Sequence, residues 1–114
     1  MVQSSASSSA YIVVLVTAAN QSEATQIATA LLEAKLAACI SIFPVTSHYT
    51  WQGQLHCESE YQLVIKTQVH CFGALEAKVR SQHSYEVPEI IGLPLVTGST
   101  PYLDWIFAQL NPDF

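Results

Sequence analysis

Segments typical of strands and of helices alternate along this chain in an order that few folds can accommodate. Residues 11–16 are apolar throughout and rich in β-branched side chains, which is typical of a central strand covered on both faces. A helical pattern, two strand-like runs, a second helical pattern and a strand-like run at 89–96 follow. Right-handed crossovers in a β-α-β-β-α-β chain place both helices on one face of the sheet. We therefore predict an α+β sandwich of the split βαβ type, with an extra helix at the carboxyl end.

Local signals set the expected helix boundaries. Asn20 and Glu23 have the spacing of a capping box, and apolar residues then recur at helical spacing, so the first helix is expected to run to about Ala38. The second helix is expected at 71–82, where apolar residues fall on one face. A last helix is expected at 100–110, because its second residue is a proline and proline is favoured at the first helical position.

A long hairpin is expected in the middle of the chain. Residues 39–43 are rich in β-branched side chains, but Pro44 interrupts them, because proline has no ladder donor and favours edges and bulges. The strand is expected to resume at 47–51. The dipeptide Gln52-Gly53 suits a tight turn, and residues 61–67 then form the returning strand. A hairpin of this length can extend past its own domain.

The length of the chain limits the number of its domains, and its low charge content bears on whether it associates with other subunits. With 114 residues it has room for one domain, so we assign the serine-rich residues 1–10 to a disordered tail and residues 11–114 to a single folded domain. Only 11% of the residues are charged, against roughly 25% in a typical soluble domain. Because small monomers seldom expose large apolar patches, this composition predicts cover by other subunits, and therefore a homo-oligomer.

Several function classes find no support in the sequence. The net charge is −5 and the four basic residues are scattered, so no basic stripe is available for nucleic acid. Neither a signal peptide nor an apolar run near ~20 residues occurs, which predicts no membrane partner. Three cysteines without a C-x-x-C pair predict free thiols and a cytoplasmic protein. Catalytic and nucleotide-binding motifs do not occur, so we expect neither an enzyme nor an organic cofactor.

Histidine, cysteine and glutamate side chains on the hairpin are candidate metal ligands. A two-residue turn at 52–53 would place His48 opposite Cys57 on one face of the hairpin, where the two could share a copper or zinc ion. If residues 56–60 form a regular strand, His56, Glu58 and Glu60 line one of its faces. In both cases the alternative is that these side chains pack or face water, as hairpin exteriors usually do.

Six segments together resemble one protein family: LVTA at 15–18, KLAAC at 35–39, YTWQG at 49–53, IKT at 65–67, VPEII at 87–91 and YLDW at 102–105. On these motifs the chain is identified as a member of the CutA family, the divalent-cation tolerance proteins, over residues 12–110. The resemblance implies a ferredoxin-like subunit, a tight trimer assembled through the long hairpin strands, and an architecture shared with the PII signalling proteins. It also implies binding of Cu(II) or another divalent cation.

The copper ligands that the resemblance implies fall on two positions that differ in this chain. Family members with copper affinity use a cysteine at the end of the first strand and the first histidine of a His-His pair. Those positions hold Val16 and Gln82 here, and neither side chain is a good ligand for a soft metal. The first functional hypothesis is a trimeric protein of metal tolerance that binds copper or another divalent cation. Its candidate ligands are His83, which matches the second histidine of the pair, and His48, Cys57, Cys39 and Glu60.

A cleft between subunits is the second feature that the resemblance implies. It would contain Lys66, with Glu89 as its candidate ionic partner, and the aromatic residues Trp51, Tyr102 and Trp105. Such a cleft could hold an anion or a small metabolite. The second hypothesis is therefore a PII-like sensor or adaptor that passes its ligand state to an unidentified protein partner. A third is a structural trimer with incidental metal binding.

Overall fold

The computed structural model of the protein describes residues 10–112. Residues 1–9 of the expected tail lie outside the described residues, whereas Ala10 packs against the hydrophobic core. No helix within the described range is long and apolar enough to cross a membrane. The first strand begins directly after Ala10.

Residues 10–112 contain four strands and three α-helices. In chain order they are β1 (Tyr11–Ala18), α1 (Gln21–Glu33), β2 (Cys39–Trp51), β3 (Gln54–Gln68), a 3-10 turn (Val69–Cys71), α2 (Phe72–Gln82), β4 (Ile91–Pro94) and α3 (Thr100–Gln109). The strands form one antiparallel sheet in the order β2-β3-β1-β4. This is the ferredoxin-like arrangement, so the predicted α+β class and element order are confirmed.

One face of the sheet carries the hydrophobic core. Val14 and Val16 of β1 lie beside Ile65 and Leu63 of β3, and all four side chains are fully buried. Helices α1 and α2 pack together over this face. Gly92 of β4 also points there, because a Cβ built on it would meet side chains of β1 and α2. The central strands are apolar because this face must bury its side chains against two helices.

The opposite face is only partly covered, by the segment 85–89 near the hairpin and by α3 at the other end. There α3 packs on β3, with Tyr102 close enough to hydrogen-bond Cys39. Beyond α3 lie Ile91, Leu93 and Phe43, which are exposed by 51%, 45% and 44% in the single chain. Cross-strand partners share a face, so the half-buried Leu15 belongs with Ile91. We call this exposed apolar area, Leu15, Phe43, Ile91 and Leu93, the open sheet face.

The β2-β3 hairpin is continuous from the sheet to its turn. The predicted interruption at Pro44 does not occur, because β2 is the edge strand of the sheet and Pro44 pairs in register with Tyr61. Gln52 and Gly53 form the turn, and both have positive φ (52° and 78°), as a type I′ hairpin turn requires. The hairpin lengthens the subunit, whose principal extents are 51 × 26 × 21 Å.

Helix α1 begins as expected and ends five residues early. Asn20 caps its start, since its Oδ1 atom accepts a hydrogen bond from the Glu23 N–H at 2.8 Å. The helix ends at Glu33 rather than Ala38 because Lys35 takes a left-handed conformation (φ 58°). The Leu36 N–H then donates to the Leu31 carbonyl at 3.0 Å, which is the hydrogen bond of a Schellman cap.

Candidate functional site

The His48 and Cys57 side chains lie together on the hairpin, as predicted. They are cross-strand partners, both are exposed, and the Cys57 Sγ and His48 Nε2 atoms are 3.7 Å apart. A tetrahedral zinc ion bound at its usual Zn–S and Zn–N distances separates two such ligand atoms by about 3.5 Å. The pair therefore has the spacing of two ligands of one ion without any movement of the backbone.

The set of His56, Glu58 and Glu60 is not brought together. His56 stacks on Tyr49, with ring centroids 5.1 Å apart, and its Nδ1 atom is 3.8 Å from the Glu58 carboxylate. Glu60 is buried and accepts a hydrogen bond from the Tyr85 hydroxyl instead. Among residues 10–112, no three His, Cys, Asp or Glu side chains are placed to hold a metal ion together.

His83 uses both ring nitrogens inside the protein. Its side chain is fully buried, its Nε2 atom lies 2.6 Å from the Thr17 carbonyl oxygen, and its Nδ1 atom accepts the Tyr85 N–H at 3.0 Å. A carbonyl can only accept and an N–H can only donate, so the ring is the neutral tautomer with its proton on Nε2. This arrangement leaves no lone pair for a metal. Of the two positions that the family resemblance implies for copper, Val16 is fully buried in the apolar core, and Gln82 directly precedes His83 at the end of α2.

Glu23 fixes the position of His83 and of the loop that follows it. One Glu23 oxygen accepts the Ala19 N–H at 3.0 Å and the Ser84 hydroxyl at 3.1 Å, and the other accepts the Ser84 N–H at 2.6 Å. Burial raises the pKa of the Glu23 carboxyl, but the hydrogen bonds from Ala19 and Ser84 outweigh it, and the pKa lies below its ordinary value. Ionised Glu23 thus joins the start of α1 to the loop after α2.

A cleft of about 410 Å³ lies between the hairpin and this loop. Its lining side chains are mostly aromatic, acidic or hydroxylated: Thr17, Ser47, Tyr49, Trp51, Glu60, Tyr85, Glu86, Val87 and Glu89. We call it the acidic cleft. Burial and the Glu60 carboxylate raise the pKa of Tyr85, so its hydroxyl stays protonated and donates to Glu60. Burial and the charge of Glu60 also raise the pKa of Glu89, against a hydrogen bond from Thr17 that lowers it.

The residues predicted to line one ligand cleft lie in two separate places within a single chain. Trp51 and Glu89 line the acidic cleft. Lys66 lies beside Cys39, with Nζ and Sγ 4.0 Å apart. Six residues of extended β3 separate Lys66 from Glu60, which amounts to about 20 Å. One chain therefore does not assemble the predicted cleft, and an ion pair between Lys66 and Glu89 remains a prediction about neighbouring copies.

The far end of that predicted cleft is an aromatic cluster at α3. Tyr102 and Trp105 stack with ring centroids 5.5 Å apart, and Tyr102 approaches the Cys39 thiol. Each ring is about two-fifths exposed in the single chain. The predicted candidates Cys39, Lys66, Tyr102 and Trp105 thus form one group of their own, away from the His48–Cys57 pair.

Thr17 and Ser47 line the acidic cleft, and neither is among the site residues predicted from the sequence. Ser47, Tyr49 and Trp51 alternate along β2, so a count of every second residue would have placed Ser47 beside the two aromatic residues. No comparable signal marks Thr17, because its role depends on Glu89, which is 72 positions further along the chain.

Comparison with known proteins identifies the family. The CutA1 divalent ion tolerance protein model matches residues 12–109. The chain belongs to this family. It is 45% identical over 95 residues to the divalent-cation tolerance protein CutA of Thermus thermophilus, covering 82% of this chain and 92% of that protein. The CutA1 family also includes the mouse protein CutA, which is 46% identical over 92 residues; this chain spans about half of its length (52%).

Solved structures confirm the fold of this CutA1-family chain. The CutA1 structure from Oryza sativa superimposes with a TM-score of 0.89 at 36% identity, covering 94% of this chain and all of that one. The family resemblance read from the six sequence segments is therefore correct. CutA1 proteins are named for tolerance of divalent ions, and the name assigns no catalytic activity.

Proposed function

We propose that this CutA1-family protein is a homotrimer that binds a divalent cation for metal tolerance, with His48 and Cys57 as its protein ligands. The observation that carries the proposal is the 3.7 Å separation of Cys57 Sγ and His48 Nε2 on an exposed strand face. Imidazole and thiolate together suit zinc and copper rather than magnesium or calcium. Two protein ligands leave further coordination positions open for water or for a group from another molecule.

The positions that the family resemblance implies for copper do not fit a metal in this chain. Val16 has no ligand atom, Gln82 offers only a weakly binding amide, and the nitrogens of the neighbouring His83 are occupied by Thr17 and Tyr85. The hairpin pair is therefore the better candidate on donor chemistry and on access. The three cysteines of the protein are free thiols. This supports the further proposal that the protein works in the cytoplasm.

Titration of the reduced protein with Zn(II) and Co(II) tests the metal site. We expect saturable binding and thiolate-to-cobalt absorption, both lost in Cys57→Ser and strongly weakened in His48→Ala. The matched controls are Cys39→Ser and His56→Ala, which remove the same two side-chain types elsewhere. Binding that survives in both ligand variants, or that is lost equally in the controls, contradicts the proposal and favours a structural trimer with incidental metal binding.

The open sheet face supports the homotrimer. Four apolar side chains, Leu15, Phe43, Ile91 and Leu93, form an area that a neighbouring copy would cover. Sedimentation equilibrium should give three times the subunit mass. Leu93→Asp should lower that mass, because a buried unpaired carboxylate opposes association. Leu32→Asp, at an equally exposed position on α1, is the matched control and should leave the mass unchanged.

The acidic cleft favours a second candidate function, the sensing of a small ligand. Its volume of about 410 Å³ is within the range of small-molecule sites, and it combines aromatic walls with a few convergent polar groups. Metal binding on the hairpin and ligand binding in this cleft are compatible, because they use different side chains.

A further inference from the structure

Of the three glutamates that line the acidic cleft, Glu60 and Glu89 are at least partly buried, and no cation of the described residues neutralises them. Glu60 is only 5% exposed and Glu89 is partly buried. Within residues 10–112, neither forms an ion pair with a lysine, arginine or histidine, since both ion pairs found there involve other glutamates. Buried carboxylates are ordinarily paired, because removing a charge from water is costly. The Glu60 and Glu89 carboxyl groups therefore lack a positively charged partner among the described residues.

The hydrogen-bond donors inside the cleft satisfy these carboxyl groups only in part. Glu60 accepts from the Tyr85 hydroxyl, and Glu89 accepts from Thr17. A hydroxyl supplies one proton and no charge, whereas a carboxylate has room for about four hydrogen bonds. The mutual repulsion of the two glutamates is left uncompensated. A ligand that carries a positive charge and several N–H groups would supply what the hydroxyls lack.

The walls of the cleft favour an organic cation over a metal ion. Tyr49 and Trp51 project from alternate positions of β2, so both lie on the face that bears Glu60, and each is about two-fifths exposed. Aromatic faces attract ammonium and guanidinium groups, and Trp does so most strongly. The cleft lining includes no imidazole or thiolate, the ligands that zinc and copper favour, and within residues 10–112 no three carboxylates are placed to hold a harder metal ion together.

We propose that the acidic cleft binds a small organic cation with an ammonium or guanidinium head group, held by Glu60 and Glu89 and stacked against Trp51. This assignment deepens the small-ligand candidate function by naming its ligand class. It does not depend on the metal site, because Cys57 and Glu60 are three residues apart on β3 and point to opposite faces.

Calorimetry with two matched compounds tests the proposal. n-Butylguanidinium carries the charge, and n-butylurea has nearly the same shape without it. We expect saturable binding of n-butylguanidinium and none of n-butylurea. Glu60→Gln and Glu89→Gln should each weaken binding by about tenfold or more, since each removes a charge-assisted hydrogen bond. Trp51→Leu should weaken it by about threefold or more through the lost cation–π contact.

The control is Glu33→Gln, which makes the same charge change at an exposed position of α1 and should leave the affinity unchanged. The denaturation midpoint of each variant verifies that it is folded, and Zn(II) binding at His48 and Cys57 should be the same in all of them. Equal binding of n-butylurea, or affinity unchanged in both glutamine variants, overturns the assignment.

The positive charge could instead come from a side chain of another copy of this chain. In that case the wild-type protein binds no n-butylguanidinium, whereas Lys66→Met, which removes the half-buried lysine near Cys39, does bind it. That result overturns the free-ligand assignment. Absence of binding in both proteins overturns it as well.

Discussion

Replacing His83 with leucine is expected to destabilise the fold and to leave cation binding in place. The imidazole joins the end of β1 to the loop after α2 through the Thr17 carbonyl at 2.6 Å and the Tyr85 N–H at 3.0 Å. Leucine fills a similar volume but can pair with neither group. Each backbone group left without a partner in a buried place costs about 1–3 kcal/mol, so the loss should be about 2–5 kcal/mol.

Denaturation in guanidinium chloride measures this loss. With a slope of about 2–6 kcal/mol per molar for a small protein, the midpoint should fall by at least about 0.3 M. Protein concentration must be the same for both proteins, because subunit association raises the apparent stability. Zn(II) titration of the same sample then reports on the metal site, which should bind as in the wild type.

His56→Leu is the control for this experiment. Its imidazole is partly exposed, stacks on Tyr49 and lies near the exposed Glu58, so its loss should change stability by less than about 0.5 kcal/mol. The reasoning is refuted if His83→Leu unfolds at the wild-type midpoint and has lost Zn(II) binding. His83 would then be a ligand and not a structural residue.

Three further substitutions test local features of the fold. Lys35→Gly should raise stability by about 0.5–1 kcal/mol in thermal denaturation, because glycine adopts the left-handed conformation without strain, and Lys35→Ala should not. Thr67→Val should cost about 1–2 kcal/mol, since the buried hydroxyl donates to the Leu36 carbonyl at 2.7 Å; an unchanged midpoint contradicts this. The pKa of Glu23 is lowered on folding, so its stabilisation is present above the ordinary carboxyl pKa and is lost as pH falls through the folded value. Glu23→Gln should therefore be less stable at neutral pH and lose less stability on acidification, and parallel pH profiles would contradict it.

Periodicity predicted the fold because the forces behind it are local and repetitive. Apolar runs, helical spacing and the proline at 101 located the strands and α-helices of the described residues, and crossover handedness gave their arrangement. The bounds were less accurate, since β3 begins at Gln54 rather than at 61 and β4 is limited to Ile91–Pro94. The end of α1 was missed because the capping residue is Lys35 and not glycine, so the left-handed position leaves no mark in the sequence. Pro44 was expected to mark an edge or a bulge, and β2 is the edge strand. The expected interruption was wrong, because an edge strand keeps its register through a residue without an N–H donor.

The candidate sites differ in how far the sequence could predict them. His48 and Cys57 meet because the turn at Gln52-Gly53 fixes the hairpin register, and turn and register can both be read locally. The acidic cleft forms only when the loop after α2 folds back onto the hairpin. That loop is held by Glu23, which belongs to a different helix. No pattern along the sequence therefore predicts the contact between Tyr85 and Glu60.

The hairpin presents different chemistry on its two faces because side chains of a strand alternate in direction. One face carries the soft donors His48 and Cys57, and the other carries Trp51 and Glu60 of the acidic cleft. A register shift of one residue would separate both sets at once, since every side chain of the shifted strand would change face. The type I′ turn at Gln52-Gly53 therefore maintains both proposed sites. Their ligands nevertheless remain independent, because no side chain belongs to both.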